Sequence, residues 1–278
     1  DQRILGTWML WEPNAYDAMD TNFVNTEGHD ITGRVNSYWH WDEKKIINEP
    51  NHDWETSTWY NVPKNTKKET LLDPYIYQVS GIDTLLISVI QPIFHNDKFH
   101  GVVGVDIKLD TIQEMIENLR VLKTGYSALI SNNGTYVAHP NPNLIGKKIS
   151  EIRKQKYLSK NISLGLQFEE VIPFDNFSKE ESYHIFVPII VGESGNPWTF
   201  LVSIPISKIV APVKSISNLI LTTGTIAGIL MIFMLTIMVK QLMSPIDKMT
   251  KELTDVVNNK NDHIPQIEIY RKDEVGLL

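Results

Sequence analysis

The sequence predicts an α+β chain: two tandem units of antiparallel strands, then one transmembrane helix and a heptad-patterned segment. Three observations carry this. Leu219–Val239 is a run of 21 residues without a charge, 15 of them apolar and the rest Thr or Gly. Ahead of it, β-branched runs bounded by Asn, Asp and Gly turns occur in two groups. After Lys240, apolar residues recur at alternating spacings of four and three. The 278 residues exceed a typical domain of ~100–200, so more than one unit is expected. With no cysteine, disulfides, thiolate metal sites and cysteine nucleophiles are excluded, while the compartment stays open. Lys and Arg number 26 against 33 Asp and Glu, a net charge of −7 that argues against a nucleic-acid partner. Six of the seven tryptophans fall within residues 1–59.

In the first unit, residues 82–94 form a long β-branched run with Pro92 near its end. His95-Asn96-Asp97-Lys98 reads as a turn and residues 99–107 as the returning strand of a hairpin. Asp110 is placed to cap a helix, with Gln113 three residues on as in a capping box. Ile112, Met115, Ile116 and Leu119 recur at helical spacing, so a connecting helix is expected over 109–122. The second unit repeats this grammar. Residues 126–131, the turn Asn132-Asn133-Gly134 and residues 135–139 predict a hairpin of type I′ character. Strands follow at 167–174, 182–191 and 197–204, and Pro205 is expected to open a stalk helix over 205–218.

At 1.5 Å per residue, a 21-residue span covers about 31 Å, the thickness of a hydrocarbon core. More than two hundred residues precede it, so it is not a signal peptide. Lys240, Lys248 and Lys251 follow the span, and Lys208 and Lys214 precede it, a slight lean toward a cytoplasmic C-terminal side. Gly224 and Gly228 form a GxxxG pair, a device for close approach of two helices. Beyond it, Leu242, Ile246, Met249, Leu253 and Val256 trace an a/d seam, with Pro245 near its start. Residues 258–266 are mostly polar and contain Pro265, which breaks the helix. Ile267 and Ile269 alternate, and Asp273-Glu274-Val275-Gly276 opens another element. Helix, extended connector and a second helix opening with Asp-Glu-x-Gly resemble a HAMP module over 240–278. That resemblance implies a parallel four-helix bundle built by two chains, hence a homodimer through the transmembrane and HAMP helices. The chain begins at Asp1 rather than Met and stops within what reads as a helix, so it is expected to be an excerpt of a longer protein.

The first 210 residues carry a second resemblance. Trp11-Glu12-Pro13-Asn14-Ala15-Tyr16-Asp17, the segment from Glu27 to Arg34, Ser37-Tyr38-Trp39, Trp59-Tyr60-x-x-Pro63, Asp73-Pro74-Tyr75-Ile76 and Gly101-Val102-Val103-Gly104-Val105-Asp106 occur in that order. Gly125-Tyr126, Asn133-Gly134-Thr135-Tyr136 and His139-Pro140 continue it. The series resembles the double Cache domain of bacterial chemoreceptors and sensor kinases. It implies two PAS-like modules, a membrane-distal one over 1–108 that holds a small ligand and a proximal one over 123–204. The family's long N-terminal helix would lie upstream of Asp1. Residues 1–217 would be extracytoplasmic and 240–278 cytoplasmic, in a protein of the plasma membrane. The expected role is the sensing and membrane-transducing part of a methyl-accepting chemotaxis protein. The alternative is a membrane histidine kinase or cyclase with its catalytic domain beyond residue 278.

The best-understood members bind amino acids through Arg-x-Trp-Tyr, a Tyr some fifteen residues on, and an Asp closing a Gly-Val-x-Gly strand. Trp59, Tyr60, Tyr75 and Asp106 match that resemblance, but the Arg position is Ser57. A guanidinium grips an α-carboxylate with two charge-assisted hydrogen bonds, and serine cannot replace it. Asp106 remains to meet an ammonium group, and Trp39, Trp41, Trp54, Trp59, Tyr60, Tyr75 and Tyr77 offer cation–π faces. The expected ligand-binding set is Trp39, Trp41, Trp59, Tyr60, Tyr75, Tyr77 and Asp106, and the expected ligand a small amine or amino-acid-like molecule. Arg34 or Lys44 reaching into the pocket would favour carboxylate ligands instead. The eight histidines lack any metal-ligand spacing; His29-Asp30 and His40-x-Asp42 read as local polar pairs. No nucleophile elbow, phosphate loop or dinucleotide fingerprint is present, so neither a catalytic site nor a cofactor is expected.

Overall fold

The computed structural model describes residues 3–42, 45–117, 119, 121 and 124–259. Residues 1–209 form one compact unit and residues from Val210 on another. The first unit contains two antiparallel sheets. In the first sheet are β1 (Gly6–Trp11), β2 (Asn36–Asp42), β3 (Lys45–Glu49), β4 (Thr70–Leu71), β5 (Tyr75–Val79), β6 (Ile82–His95) and β7 (Lys98–Lys108). Their order is β3-β2-β1-β7-β6-β4, with β5 also pairing β6. Helix α1 (Thr58–Thr66) carries Trp59 and Tyr60 into the core of this sheet.

The β6–β7 hairpin forms as the sequence predicts. Asn96 and Asp97 both take positive φ, 49° and 60°, the backbone that a two-residue type I′ turn demands. Pro92 pairs with Val102 of β7, while β4 and β5 reach no further along β6 than Ile90. Its missing N–H therefore falls where β6 has no second neighbour.

Helix α2 (Leu109–Glu117) begins one residue before Asp110, so Asp110 lies in the first turn and is not the cap. Gln113 makes no capping box. Its Oε1 accepts the backbone N–H of His139 at 2.8 Å, tying α2 to the second sheet. Ile112 and Ile116 face the core, whereas Met115 and Leu119 are exposed.

The second sheet contains β8 (Tyr126–Ile130), β9 (Tyr136–Ala138), β10 (Phe168–Ile172), β11 (Ser182–Ile189) and β12 (Trp198–Pro205), in the order β10-β11-β12-β8-β9. Helices α3 (Ile149–Ile152) and α4 (Lys156–Ser163) fill the connection from β9 to β10. The β8–β9 turn is not type I′. Of its three residues only Gly134 has positive φ, 86°, and its N–H bonds back to Ser131 O at 2.9 Å. This is the three-residue turn closed by a left-handed glycine, and the strand register shifts beside it. Strand β8 is buried along its whole length. Tyr126, Ala128 and Ile130 face the second sheet's own core, and Leu129 faces a cluster shared with Leu71, Ile87, Leu109 and Trp198. That shared cluster joins the two sheets.

Pro205 closes β12, opposite Ser182, and does not open the helix. Helix α5 runs without interruption from Ile206 to Asn259 through Pro212 and Pro245. It contains a stretch long and apolar enough to cross a membrane, with none of it buried. The predicted connector and second helix, with Pro265, Ile267, Ile269 and Asp273–Gly276, lie outside the described residues, as do Lys44 and the side chain of Val256.

Phe186, fully buried, stacks on Phe168 with ring centroids 4.3 Å apart. Phe186→Ala is expected to cost ~3–5 kcal/mol of stability, read as a lowered denaturation midpoint of the purified chain. A change below ~1 kcal/mol would show that this core does not hold the second sheet together.

Candidate functional site

Strand register decides which side chains meet. Residues directly opposite in an antiparallel pair share a face. Gly6 pairs with both Asp106 and His40, Trp8 with Tyr38, and Ser88 with Asp106. Tyr75 pairs with Leu86, two residues before Ser88 and so on its face. One face of the sheet thus gathers Trp8, Tyr38, Tyr75, Tyr77, Ser88 and Asp106. Trp39 and Trp41 alternate to the opposite face, and Trp41 is 49% exposed. The structure does not bring these two to Asp106.

Asp106 is the centre of the face, with 2% of its surface exposed. Trp8 Nε1 donates to its Oδ1 at 2.8 Å and Ser88 Oγ donates to the same oxygen at 2.6 Å. Ser88 in turn takes the Tyr75 hydroxyl at 2.6 Å. Tyr38 lies against the same carboxylate, its buried Oη lacking a partner of good hydrogen-bond geometry. Among the described residues no cation pairs with Asp106. Burial pushes its pKa up to about 6, against the downward pull of Ser88, Trp8 and Tyr38. Burial and the carboxylate together hold the Tyr75 phenol well above its usual range, and burial lifts Tyr77 to about 12.

Helix α1 lays its aromatics over this face. Trp59 meets Trp8 edge to face at 4.8 Å, and Tyr60 packs against Trp59, Trp54 and Phe99. The Tyr60 hydroxyl donates to Glu12, which also pairs with Lys64 at 2.5 Å. Lys64 Nζ sits 5.1 Å from the Tyr60 ring centre. Burial would raise the Glu12 pKa, but hydrogen bonds from Lys64 and Tyr60 bring it below the usual range. A Cβ on Gly104 would run into the Trp8 ring, so only glycine lets that indole lie flat over β7.

Ser57, at the missing arginine position, is the N-cap residue of α1, and its hydroxyl donates to Asp53 O. It offers nothing to a carboxylate. Arg34 is the buried cation nearby. It grips Asp30 through Nε at 3.1 Å and Nη2 at 2.8 Å, and its guanidinium stacks 4.0 Å from the Trp54 ring centre. A cleft of about 570 Å³ opens there, walled by Arg34, Asn36, Asn51 and Trp54 among others. The expected polar pairs differ: Asp30 serves Arg34, not His29, and His40 reaches Glu49 across the sheet at 3.1 Å, not Asp42. No group of three or more metal-ligating side chains occurs among the described residues.

Sequence reasoning missed Trp8, Tyr38 and Ser88. The usable signal was alternation: Tyr38 directly precedes Trp39 and lies three residues before Trp41, so along the strand it must face away from both.

A family model described as Cache domain, dCache_1, matches residues 16–213. The methyl-accepting chemotaxis protein PctB of Pseudomonas aeruginosa is 25% identical over 227 residues, 82% of this chain and 34% of that protein. The chain therefore spans about a third of that relative's length. The solved extracellular domain of mmHK1S-Z3, described as a histidine kinase, is 28% identical with a TM-score of 0.67, covering 77% of this chain and 78% of that one. The ligand-binding domain of PctB in complex with L-Arg shares the fold at 19% identity and a TM-score of 0.50, over 78% and 72% of the two chains. The paired sheets and the matched span together make this chain a member of the Cache-domain family, in its dCache_1 form.

Proposed function

We propose that the sheets form the extracytoplasmic sensor of a plasma-membrane chemoreceptor, and that the first sheet unit binds a small cationic amine at Asp106. One observation carries the ligand class. A carboxylate almost fully buried, with two neutral hydrogen-bond donors and no cation among the described residues, is an unbalanced charge. An ammonium group balances it, and the surrounding rings of Trp8, Trp59, Tyr60, Tyr75 and Tyr77 supply cation–π faces. Trp54 packs on Tyr60 of this aromatic layer and also lines the neighbouring cleft.

A second reading rests on Arg34. Its guanidinium lines the cleft, and an α-carboxylate there would make the ligand an amino acid, the class the PctB domain is solved with. Asp30 already occupies two of its donors, so this reading requires that pair to be shared.

Signalling follows from linkage. A ligand shifts the equilibrium between two conformations by its difference in affinity for them. In this reading the helix from Ile206 crosses the membrane over 219–239 and enters a HAMP segment from 240, where two chains repack. Gly224 and Gly228, four residues apart, lie on one face of this helix, the small-residue arrangement that lets two helices approach closely. The output beyond residue 278 is read as a chemoreceptor's; the likeness to mmHK1S-Z3 keeps a kinase as the alternative.

Calorimetry with amines and amino acids tests the ligand class. Asp106→Asn keeps an acceptor for Trp8 and Ser88 but removes the charge, so amine affinity should fall by at least a hundredfold, ~3–5 kcal/mol. Binding of amino acids but not amines would overturn the amine reading in favour of Arg34. Protons compete with the ammonium for Asp106, whose pKa is about 6. Amine affinity should therefore be flat from about pH 7 to about pH 9, below the titration of the ammonium itself, and about tenfold weaker at pH 5 than at pH 7. A pH-independent affinity would place the ammonium elsewhere. Ile246→Asp on the proposed seam should abolish signalling while leaving ligand affinity within about twofold; an equal loss of affinity would mean that the seam and the sensor are not separate.

A further inference from the structure

The second sheet encloses a cavity of about 210 Å³ that the amine reading does not use. At its foot lies Asp175. Its Oδ1 takes the backbone N–H groups of Phe177 and Ser178 at 2.7 and 2.9 Å. Its Oδ2 takes the Tyr126 hydroxyl and the Nε2–H of His184, both at 2.8 Å. Burial opposes the charge, but the His184 bond and these other donors outweigh it and hold the carboxyl far below its usual range. Asp175 is thus ionised and fully occupied, and it fixes the proton of His184 on Nε2. The Nδ1 of His184 is buried and without a partner.

Two donors complete the lining. His139 Nδ1 accepts the N–H of Asn141 at 2.9 Å, so its ring proton sits on Nε2. That Nε2–H and the Tyr136 hydroxyl have no hydrogen-bond partner among the described residues. All three side chains belong to residues at most 4% exposed: Tyr136 4%, His139 4% and His184 3%. Buried polar groups are almost always paired. Of the three, His184 Nδ1 is fully enclosed and lacks a partner, while the Tyr136 and His139 side chains open onto the cavity, where a ligand can meet them. Arg153 also lines it, adding positive charge while paired with Glu170 at 2.8 Å.

We propose that this cavity is a second ligand site, for a small carboxylate that also bears a hydroxyl group. The carboxylate takes the Tyr136 hydroxyl and the His139 Nε2–H, with Arg153 supplying the attraction. The hydroxyl pairs with His184 Nδ1, which a hydroxyl can meet as donor or as acceptor. At about 210 Å³ the cavity is smaller than the ~300–1,000 Å³ of pockets for drug-sized molecules, which suits a ligand of a few carbons.

The probes are glycolate, acetate and methylamine, and the readouts are calorimetry and the melting temperature of the purified chain. Glycolate should bind and raise the melting temperature, acetate should bind more weakly, and methylamine should leave this site empty. Tyr136→Phe keeps the ring and removes one donor, so glycolate affinity should drop about tenfold or more. Asp106→Asn should leave glycolate affinity unchanged, which separates this site from the one on the first sheet. If Tyr136→Phe does not fold, His184→Gln serves as the second variant and should lose the preference for glycolate over acetate. Glycolate failing to bind, binding Tyr136→Phe or His184→Gln as it binds the native chain, or depending on Asp106 would overturn the proposal.

Discussion

The first sheet is organised around one buried carboxylate. Burying Asp106 is costly unless its oxygens are satisfied, and a strand alone cannot do that. The solution draws on three other parts of the chain. Trp8 comes from β1, Ser88 from β6, and Tyr75, through Ser88, from β5. Satisfying the carboxylate fixes the Trp8 indole. The indole in turn requires a glycine at 104 and provides the wall against which Trp59 of α1 packs. The aromatic layer and the polar centre are therefore one construction: neither can be rearranged without the other.

The second sheet poses the same problem and answers it differently. Asp175 receives two backbone N–H groups, a tyrosine hydroxyl and a histidine ring, and stays ionised. Asp106 receives two neutral side-chain donors and is pushed up to about 6. Two carboxylates in similar sheets are thus set apart by what hydrogen-bonds them. The first keeps an unmet need for positive charge. The second has spent its charge on His184, and what faces the cavity around it are the side chains of Tyr136, His139 and His184. The two proposed ligand chemistries rest on that difference.

Much of this was legible in the sequence, for physical reasons. The β6–β7 hairpin and the apolar helix announce themselves through local patterns, β-branched runs around an Asn-Asp turn and 21 uncharged residues. Trp59, Tyr60, Tyr75 and Asp106 could be named because a family pattern tied them together. What failed depended on distant partners. Gln113 reads as a helix cap, but His139, the residue after β9, offers it a backbone N–H instead. His40 was matched to Asp42 because they are near in sequence, whereas strand pairing brings Glu49. Trp39 and Trp41 were placed with Asp106 for being aromatic, and strand parity sends them to the other face. The turn at 132–134 has the residues of a type I′ turn but one residue too many, so only Gly134 turns left-handed.

The connection between the sheets bears on how binding could be felt elsewhere. Leu71 and Ile87 of the first sheet, Leu109 of α2, and Leu129 and Trp198 of the second form one continuous buried cluster. Close-packed cores do not deform gradually, so a displacement of β6 must be met by its neighbours in that cluster or by a switch to another packing. Trp198 begins β12, and the residue after that strand's last, Pro205, begins the long helix. The polar tie from Asp73 Oδ1 to the N–H of Asn133, 3.2 Å long, is a second link between the same sheets. A ligand at Asp106, as proposed, would act through these links to the extent that it prefers one arrangement of them. An occupant of the second cavity would bias the same cluster from its other side, since Tyr126 lines that cavity while Leu129 of the same strand is part of the cluster. Two ligands that stabilise the same arrangement must then strengthen each other's binding, and two that stabilise opposite arrangements must weaken it by equal factors.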